Sequence, residues 1–204
     1  MARRFIAFFL SLALAACAST PPALGPVVPG VTAEQPDVKV GDKYTFACTQ
    51  GRKTYDSQTV ITSVDASSIK FTSDGIALEN TREGNPVKEE RFLHSDFHVI
   101  SFPLEVGKTW TFNDRWKGLD LPYQGTQKVN VAVVAYEKVR VTAGEFDAFK
   151  VQWIANWTSD AGGTGRNTGS YWYAPRVRAS AKVVIDIAGE PELACELKEF
   201  QLQP

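Results

Sequence analysis

Apolar and polar residues alternate with a period of two through most of the chain after residue 37, which is the pattern of half-buried β-strands. No window keeps the i, i+3, i+4, i+7 spacing of an amphipathic helix for three turns. The alternation predicts antiparallel strands joined by short turns, near residues 42–50, 54–64, 67–74, 76–83, 87–93, 108–116, 124–137, 146–158, 168–174, 179–188 and 192–202.

One phrase occurs twice, as VGDKYTF at residues 40–46 and as VGKTWTF at residues 106–112. In both copies a glycine precedes a strand with aromatic residues on one face and threonines on the other. A second alternating strand follows each copy, at residues 60–64 and 129–133. We therefore predict a mainly β fold, a curved antiparallel sheet, half-barrel or sandwich, built from two similar β-meander units over about 38–100 and 104–204.

The N-terminus is organised as an export signal, with Arg3 and Arg4 before a short apolar run at residues 5–14. The run ends in Leu-Ala-Ala-Cys at residues 14–17, which resembles the lipobox of bacterial lipoproteins. The resemblance implies a signal peptide at 1–16 and fatty acylation of Cys17, with palmitate among the expected groups. Alanine at position 18 favours anchorage in the outer membrane, facing the periplasm. The alternative is an ordinary secretory peptide that happens to precede a cysteine.

Residues 17–36 are expected to be the lipidated cysteine and a tether, because five prolines interrupt this stretch and it has little apolar surface to bury. Residues 37–204 are then a single β domain. The formal net charge of −1 gives no electrostatic reason to expect a nucleic-acid partner. The oligomeric state is left open.

Three segments of the second half resemble a recurring pattern of uncharacterised bacterial envelope lipoproteins. They are FPLEVGKTWTF (102–112), VTAGEFDAFKVQW (141–153) and YWYAPRVRASAKV (171–183), with the order Gly-x-x-Trp, Ala-Gly-x-Phe and Trp-Tyr-Ala-Pro. The resemblance implies a curved sheet or half-barrel and carries no catalytic residues.

Cys48 and Cys195 remain once Cys17 is assigned to lipid. Each lies on the apolar face of its strand, and an oxidising compartment favours a disulfide between them. A disulfide would make the first and last strands of the domain neighbours. The alternative is a pair of buried thiols packed as small hydrophobic groups.

Aromatic residues offer candidate ligand contacts, because curved sheets lined by tryptophan and tyrosine can bind acyl chains, sugars or peptides. The alternative is that these side chains are simply core. The candidates are Trp153, Trp157, Tyr171 and Tyr173.

Signals for catalysis and for metal are weak. His94, Asp96 and His98 would share one face of an extended segment, but the two histidines lie too far apart to chelate one ion without a bend. The glycine-rich stretch 162–169 lacks the ending of a phosphate-binding loop and is expected to be a mobile hairpin loop. We therefore expect no catalytic residues, no cofactor and no dedicated metal site.

These observations favour a non-catalytic lipoprotein of the outer membrane, facing the periplasm, that binds a protein partner or an envelope assembly component. The alternative is a protein that binds an apolar or amphipathic small ligand inside its curved sheet. A filled interior would favour the first hypothesis, and a cavity would favour the second.

Overall fold

The computed structural model describes residues 30–120 and 122–204. No helix in these two ranges is long and apolar enough to span a membrane. The described chain forms strands and a single-turn 3-10 helix, in the order β1 (Thr32–Ala33), β2 (Lys43–Gln50), β3 (Lys53–Val64), β4 (Ser68–Ser73), β5 (Ile76–Thr81), β6 (Pro86–Lys88), β7 (Phe92–His94), β8 (Leu104–Glu105), β9 (Thr109–Gly118), β10 (Gln124–Val141), β11 (Gly144–Ser159), β12 (Thr164–Ala174), η1 (Pro175–Val177), β13 (Ala179–Asp186) and β14 (Leu193–Gln201).

Twelve of these strands form a closed antiparallel barrel, in the order β10-β11-β12-β13-β14-β2-β3-β4-β5-β6-β7-β9, with β9 pairing back onto β10. The prediction of a mainly β fold is confirmed, but the sheet closes completely, beyond the curved sheet, half-barrel or sandwich that we expected. Two pairings complete the ring: β14 with β2, and β7 with β9. Closure leaves these strands without a free edge.

Most predicted strands occur within a few residues of their expected limits. The strand expected near 87–93 is instead two short strands, β6 and β7, joined by a turn. The glycine-rich stretch differs more, because residues 164–169 belong to β12 and are not a mobile hairpin loop; the turn between β11 and β12 is only residues 160–163.

The repeated phrase has the same backbone geometry in both copies. Gly41 and Gly107 both have positive φ angles, 91° and 97°, which favour glycine. Each glycine donates its N–H across the sheet, Gly41 to the carbonyl oxygen of Ile61 and Gly107 to that of Val133, both at 2.9 Å. A register shift then follows in each copy, immediately after Ile61 and after Val133. The phrase is therefore an architectural unit that starts a strand pair.

The segment between β7 and β9 fills the middle of the barrel. Phe97 packs edge-on against Phe112 and Trp153, which face inward from β9 and β11, with ring centroids 5.8 Å apart in both pairs. Asn85 holds this segment: its side-chain amide donates to the carbonyl oxygen of Ile100 at 2.7 Å and accepts from the Ile100 N–H at 2.8 Å. We call residues 95–103 the plug.

Strand β1 lies within the stretch that we assigned to the tether. Thr32–Ala33 pairs with Leu104–Glu105 of β8, and both Ala33 and Leu104 are buried in the main core cluster. Ordered packing of the chain therefore starts before residue 37.

The two ends of the barrel differ. In an antiparallel barrel alternate turns share an end, so we call the end with the turns after β2, β4, β6, β9, β11 and β13 the upper end. A second core cluster lies toward the lower end, where the tip of the β10–β11 hairpin packs through Val139, Val141 and Phe146. The plug and this cluster therefore pack the interior in its middle and toward its lower end.

Candidate functional site inside the barrel

Three tryptophans lie on the inner wall, each directly opposite a glycine of the neighbouring strand. The pairs are Trp116 with Gly125, Trp157 with Gly165, and Trp153 with Gly169. A Cβ atom built on any of these glycines would fall closer than 3.0 Å to the ring of its tryptophan. Because a glycine has no side chain, each of these positions leaves room for the indole ring of the opposite tryptophan to lie against the wall. The close approach of Trp157 and Trp153 is a physical reason for glycine at positions 165 and 169 of β12.

All four predicted aromatic residues are on the inner wall, but they differ in burial. Trp153 and Tyr173 are buried, and Tyr173 packs against Phe102 of the plug at 5.2 Å. Trp157 and Tyr171 are half-buried. The first two therefore contribute to the core, whereas the second two retain accessible surface. Of these, Trp157 lies close to the upper turn at 160–163, and Tyr171 lies below the level of Trp153.

His94 and Asp114 form the strongest polar contact of the inner wall. The Nδ1 atom of His94 is 2.7 Å from Oδ2 of Asp114, and its Nε2 atom is 3.5 Å from a carboxylate oxygen of Glu89. Asp114 also accepts hydrogen bonds from the backbone N–H groups of Ser95 and Asp96, and from the Gln127 amide. These donors hold the carboxylate in place inside the wall.

The charges of this pair stabilise each other. Burial by itself would lower the pKa of His94, but the bonds to Asp114 and Glu89 outweigh it and raise the pKa to about 9. Burial would raise the pKa of Asp114, but the bonds from His94 and Gln127 lower it to about 2. His94 is therefore an imidazolium at neutral pH and is unsuited to act as a general base.

The three predicted weak metal ligands do not converge. His94 contacts Asp114, whereas Nδ1 of His98 is 3.0 Å from Oδ1 of Asp96 and its ring stacks on Phe112. In the described ranges no group of three or more His, Cys, Asp or Glu side chains could hold a metal ion.

The predicted disulfide between Cys48 and Cys195 is confirmed. The two residues are directly opposite each other on β2 and β14, with Cα atoms 4.1 Å apart. The bond links elements separated by 147 positions in sequence, and it joins the first and last long strands of the ring.

Exposed large apolar side chains concentrate at the upper end. Of the eight that the described residues contain, six lie within three residues of an upper turn, and the other two, Val40 and Phe200, lie toward the lower end. Sequence reasoning missed this group because its members are far apart in the chain. The six are Tyr55, Ile76, Leu93, Leu119, Tyr123 and Ile187.

A cavity of about 210 Å³ lies below the plug. Its walls include Phe46, Ile61, Ile69 and Phe71. Sequence reasoning did not single out this position, because Arg82 lies in a turn without a motif and Tyr44 belongs to the repeated phrase, which we interpreted as the start of a strand.

Two polar side chains of this lower cavity have an unsatisfied buried atom. Within the described chain, neither Oη of Tyr44 nor Nη1 of Arg82 has a hydrogen-bond partner. Burial, followed by the charge of Asp42, raises the pKa of Tyr44 above its ordinary value, so its hydroxyl remains a donor at neutral pH.

Comparison with known proteins gives fold-level likeness only. No protein-family model matches the chain, and no curated protein matches it. Among solved structures, the hypothetical lipoprotein YmcC from Escherichia coli K12 aligns with a TM-score of 0.49 at 12% identity, covering 80% of this chain and 84% of that one.

Two further structures align over 83% of this chain and 99% of theirs, each at 13% identity. One is a candidate lipoprotein from Parabacteroides distasonis ATCC 8503, with a TM-score of 0.44. The other is a candidate exported protein with a YmcC-like fold from Bacteroides fragilis NCTC 9343, with a TM-score of 0.42. With TM-scores below 0.5 and identities of 12–13%, these three likenesses show nothing about the function of this chain.

Proposed function

We propose that this chain is a lipid-anchored lipoprotein of the bacterial outer membrane, facing the periplasm, that binds a protein partner through the upper end of its barrel and catalyses no reaction. The observation that carries the proposal is the concentration of exposed apolar side chains at that end. Single exposed apolar residues are normal on a protein surface. Six of them beside five turns around one rim give that end an apolar character, which we assign to an interaction site.

The route of the chain supports this orientation. Strand β1 pairs with β8, which precedes β9 at the lower end of the barrel. A lipid on Cys17 would therefore be tethered to the lower end, through the proline-rich residues that precede β1. The upper end then points away from the membrane, toward soluble or membrane-bound partners in the periplasm.

Two further features fit an exported, non-catalytic protein. The Cys48–Cys195 disulfide requires an oxidising compartment, which the periplasm provides. The side chains best suited to acid–base chemistry, His94 and Asp114, are bonded to each other inside the wall, and the raised pKa of His94 keeps it protonated at neutral pH.

The anchor is tested with the Cys17→Ala variant and with mass spectrometry of the N-terminal peptide. We expect the wild-type protein in the outer-membrane fraction, with a diacylglyceryl group and an amide-linked fatty acid on Cys17. The variant should lose both the modification and the membrane association. An unmodified Cys17 in the wild-type protein would contradict the proposal.

The partner surface is tested in living cells by placing a photo-cross-linking amino acid at Leu93, Tyr123 or Ile187. Lys128 on the outer wall and Lys138 near the lower end are the controls, because both are exposed. We expect all three upper positions to form an adduct with the same protein, and neither control to form it. Adducts of equal yield at Lys128, or none at the upper positions, would refute the proposed surface.

A further inference from the structure

Three charged side chains line the lower cavity: Arg82, Arg178 and Glu83. Arg82 makes no ion pair within the described residues, and its Nη1 atom is buried without an acceptor. A buried donor without a partner costs free energy, and the cost is greater when the group is charged. Such a group therefore favours an anion or another acceptor in the cavity.

The other charged groups that line the lower cavity are already engaged. Arg178 contacts Asp42 at 3.4 Å and donates to the Gln203 carbonyl oxygen at 3.2 Å. A Glu83 carboxylate oxygen accepts the Phe102 N–H at 3.2 Å. Arg82 is thus the cation of this lining with a buried nitrogen that lacks an acceptor in the described chain, whereas Arg178 is paired and Glu83 can only accept.

The hydroxyl group of Tyr44 adds a second donor. Tyr44 is only 4% exposed and lines the same cavity as Arg82. Both are donors, and a carboxylate is an acceptor with two oxygens and about four lone-pair sites. A planar carboxylate also matches the fork of a guanidinium group.

The remaining wall of the lower cavity is apolar and limits the size of a ligand. Phe46, Ile61, Ile69 and Phe71 supply the wall, and the exposed Gly84 also lines the cavity, so the cavity reaches the surface. At about 210 Å³ the volume exceeds the roughly 150 Å³ of an apolar cavity that takes up benzene. A ring or a short alkyl chain fits, and a full-length membrane acyl chain does not.

We propose that the lower cavity binds a compact monocarboxylic acid, with the carboxylate on Arg82 and Tyr44 and a short alkyl or aryl body against the apolar wall. The site is separate from the upper end, so this proposal and the proposed protein partner can be tested independently.

The test is isothermal titration of octanoate into purified protein carrying Cys17→Ala, which omits the proposed acyl groups. We expect saturable binding with one site per chain. Octanol, which keeps the alkyl chain but lacks the charge, should bind at least tenfold more weakly. Equal affinity for octanoate and octanol, or no octanoate binding, would overturn the proposal, and neither comparison depends on a substitution in the cavity.

Variants then assign the contacts. Arg82→Gln should weaken octanoate binding about tenfold to hundredfold, since a hydrogen bond to a charged group is lost. Tyr44→Phe should weaken it about threefold to tenfold. Arg140→Gln is the matched control, because Arg140 is exposed and pairs with Glu145 on another part of the barrel. Unchanged binding in Arg82→Gln, once circular dichroism shows that the variant is folded, would refute the assignment.

A second anion separates the carboxylate from other acceptors. Inorganic phosphate has the charge but no apolar body, so it should bind far more weakly than octanoate. If phosphate bound as tightly as octanoate, the site would be a general anion site and the proposed ligand class would be wrong.

Discussion

Replacing Gly169 by alanine tests whether the packing of tryptophan rings on the opposite glycines stabilises the inner wall. Gly169 lies opposite Trp153, and an added Cβ would fall within 3.0 Å of the indole ring. Trp153 is only 5% exposed and packs edge-on against Phe97 of the plug. The ring therefore cannot move away without disturbing the middle of the barrel.

The expected cost follows from three contributions. Overpacking a filled interior costs about 1–3 kcal/mol, and disturbing the Trp153–Phe97 contact costs about 0.5–1.5 kcal/mol. Removing a glycine from a strand returns about 0.5–1 kcal/mol, because glycine loses the most conformational freedom on folding. The free energy of unfolding of Gly169→Ala should thus fall by about 0.5–4 kcal/mol.

The assay is urea unfolding followed by circular dichroism, with Gly163→Ala as the matched control. A Cβ on Gly163 would meet only the Ser159 hydroxyl at 3.1 Å and the Trp157 ring at 3.6 Å, so little change is expected. In a Trp153→Ala background the cost of Gly169→Ala should disappear or change sign, since nothing remains to clash. A loss of stability that persists in the Trp153→Ala background would refute the proposed packing of Trp153 on Gly169. A loss in the wild-type background as small as that of Gly163→Ala would refute it too.

Three further perturbations address other contacts. Replacing Cys48 and Cys195 by alanine opens a loop of 147 positions, and the chain-entropy model gives a loss of about 5 kcal/mol in urea unfolding; a loss below about 1 kcal/mol would contradict it. For His94, the folded pKa of about 9 lies above the ordinary 6.5, so its contribution is complete below pH 6.5 and is lost as the pH rises through 9. For Asp114, the pKa of about 2 lies below 3.8, so its contribution is lost as the pH falls from about 4 through 2. Urea midpoints should therefore be highest between these limits, and His94→Gln should flatten the alkaline decline. Asn85→Ala should cost about 2–4 kcal/mol in the same assay, because two buried backbone groups of the plug lose their partner; a loss below 1 kcal/mol would contradict the anchoring of the plug.

The alternation of side chains was enough to predict the strands and to place Cys48 and Cys195 on apolar faces, while the expected oxidising compartment favoured their disulfide. Both depend on period two, which is local: Cys48 and Cys195 lie on the apolar sides of their own strands. Closure is not local. Closure of the barrel requires β7 to pair with β9, which follows it in the chain after the plug. The plug sequence, residues 95–103, has no alternation of apolar and polar residues that shows whether it lies inside or outside a barrel.

The candidate sites were harder to predict for a similar reason. The four inner-wall aromatics were found by their spacing, but spacing could not tell the buried Trp153 from the half-buried Trp157. That difference depends on the plug, which covers one ring and not the other. Arg82 had no signal at all, because a single arginine in a polar turn is ordinary until the fold places it against an apolar cavity.

The plug also separates the two proposed activities. Phe97 and its neighbours occupy the middle of the barrel and contact the inner wall on β9 and β11, so the lower cavity and the upper end do not share a continuous space there. A partner at the upper end would meet the turns and the half-buried Trp157, whereas an acid in the lower cavity would meet Arg82 and Tyr44. Coupling between the two would have to pass through the plug, which Asn85 fixes by two hydrogen bonds to its backbone. Because Ile100 of the plug lines the lower cavity and the lining residue Glu83 accepts the Phe102 N–H, an acid bound below would contact the plug directly through these residues.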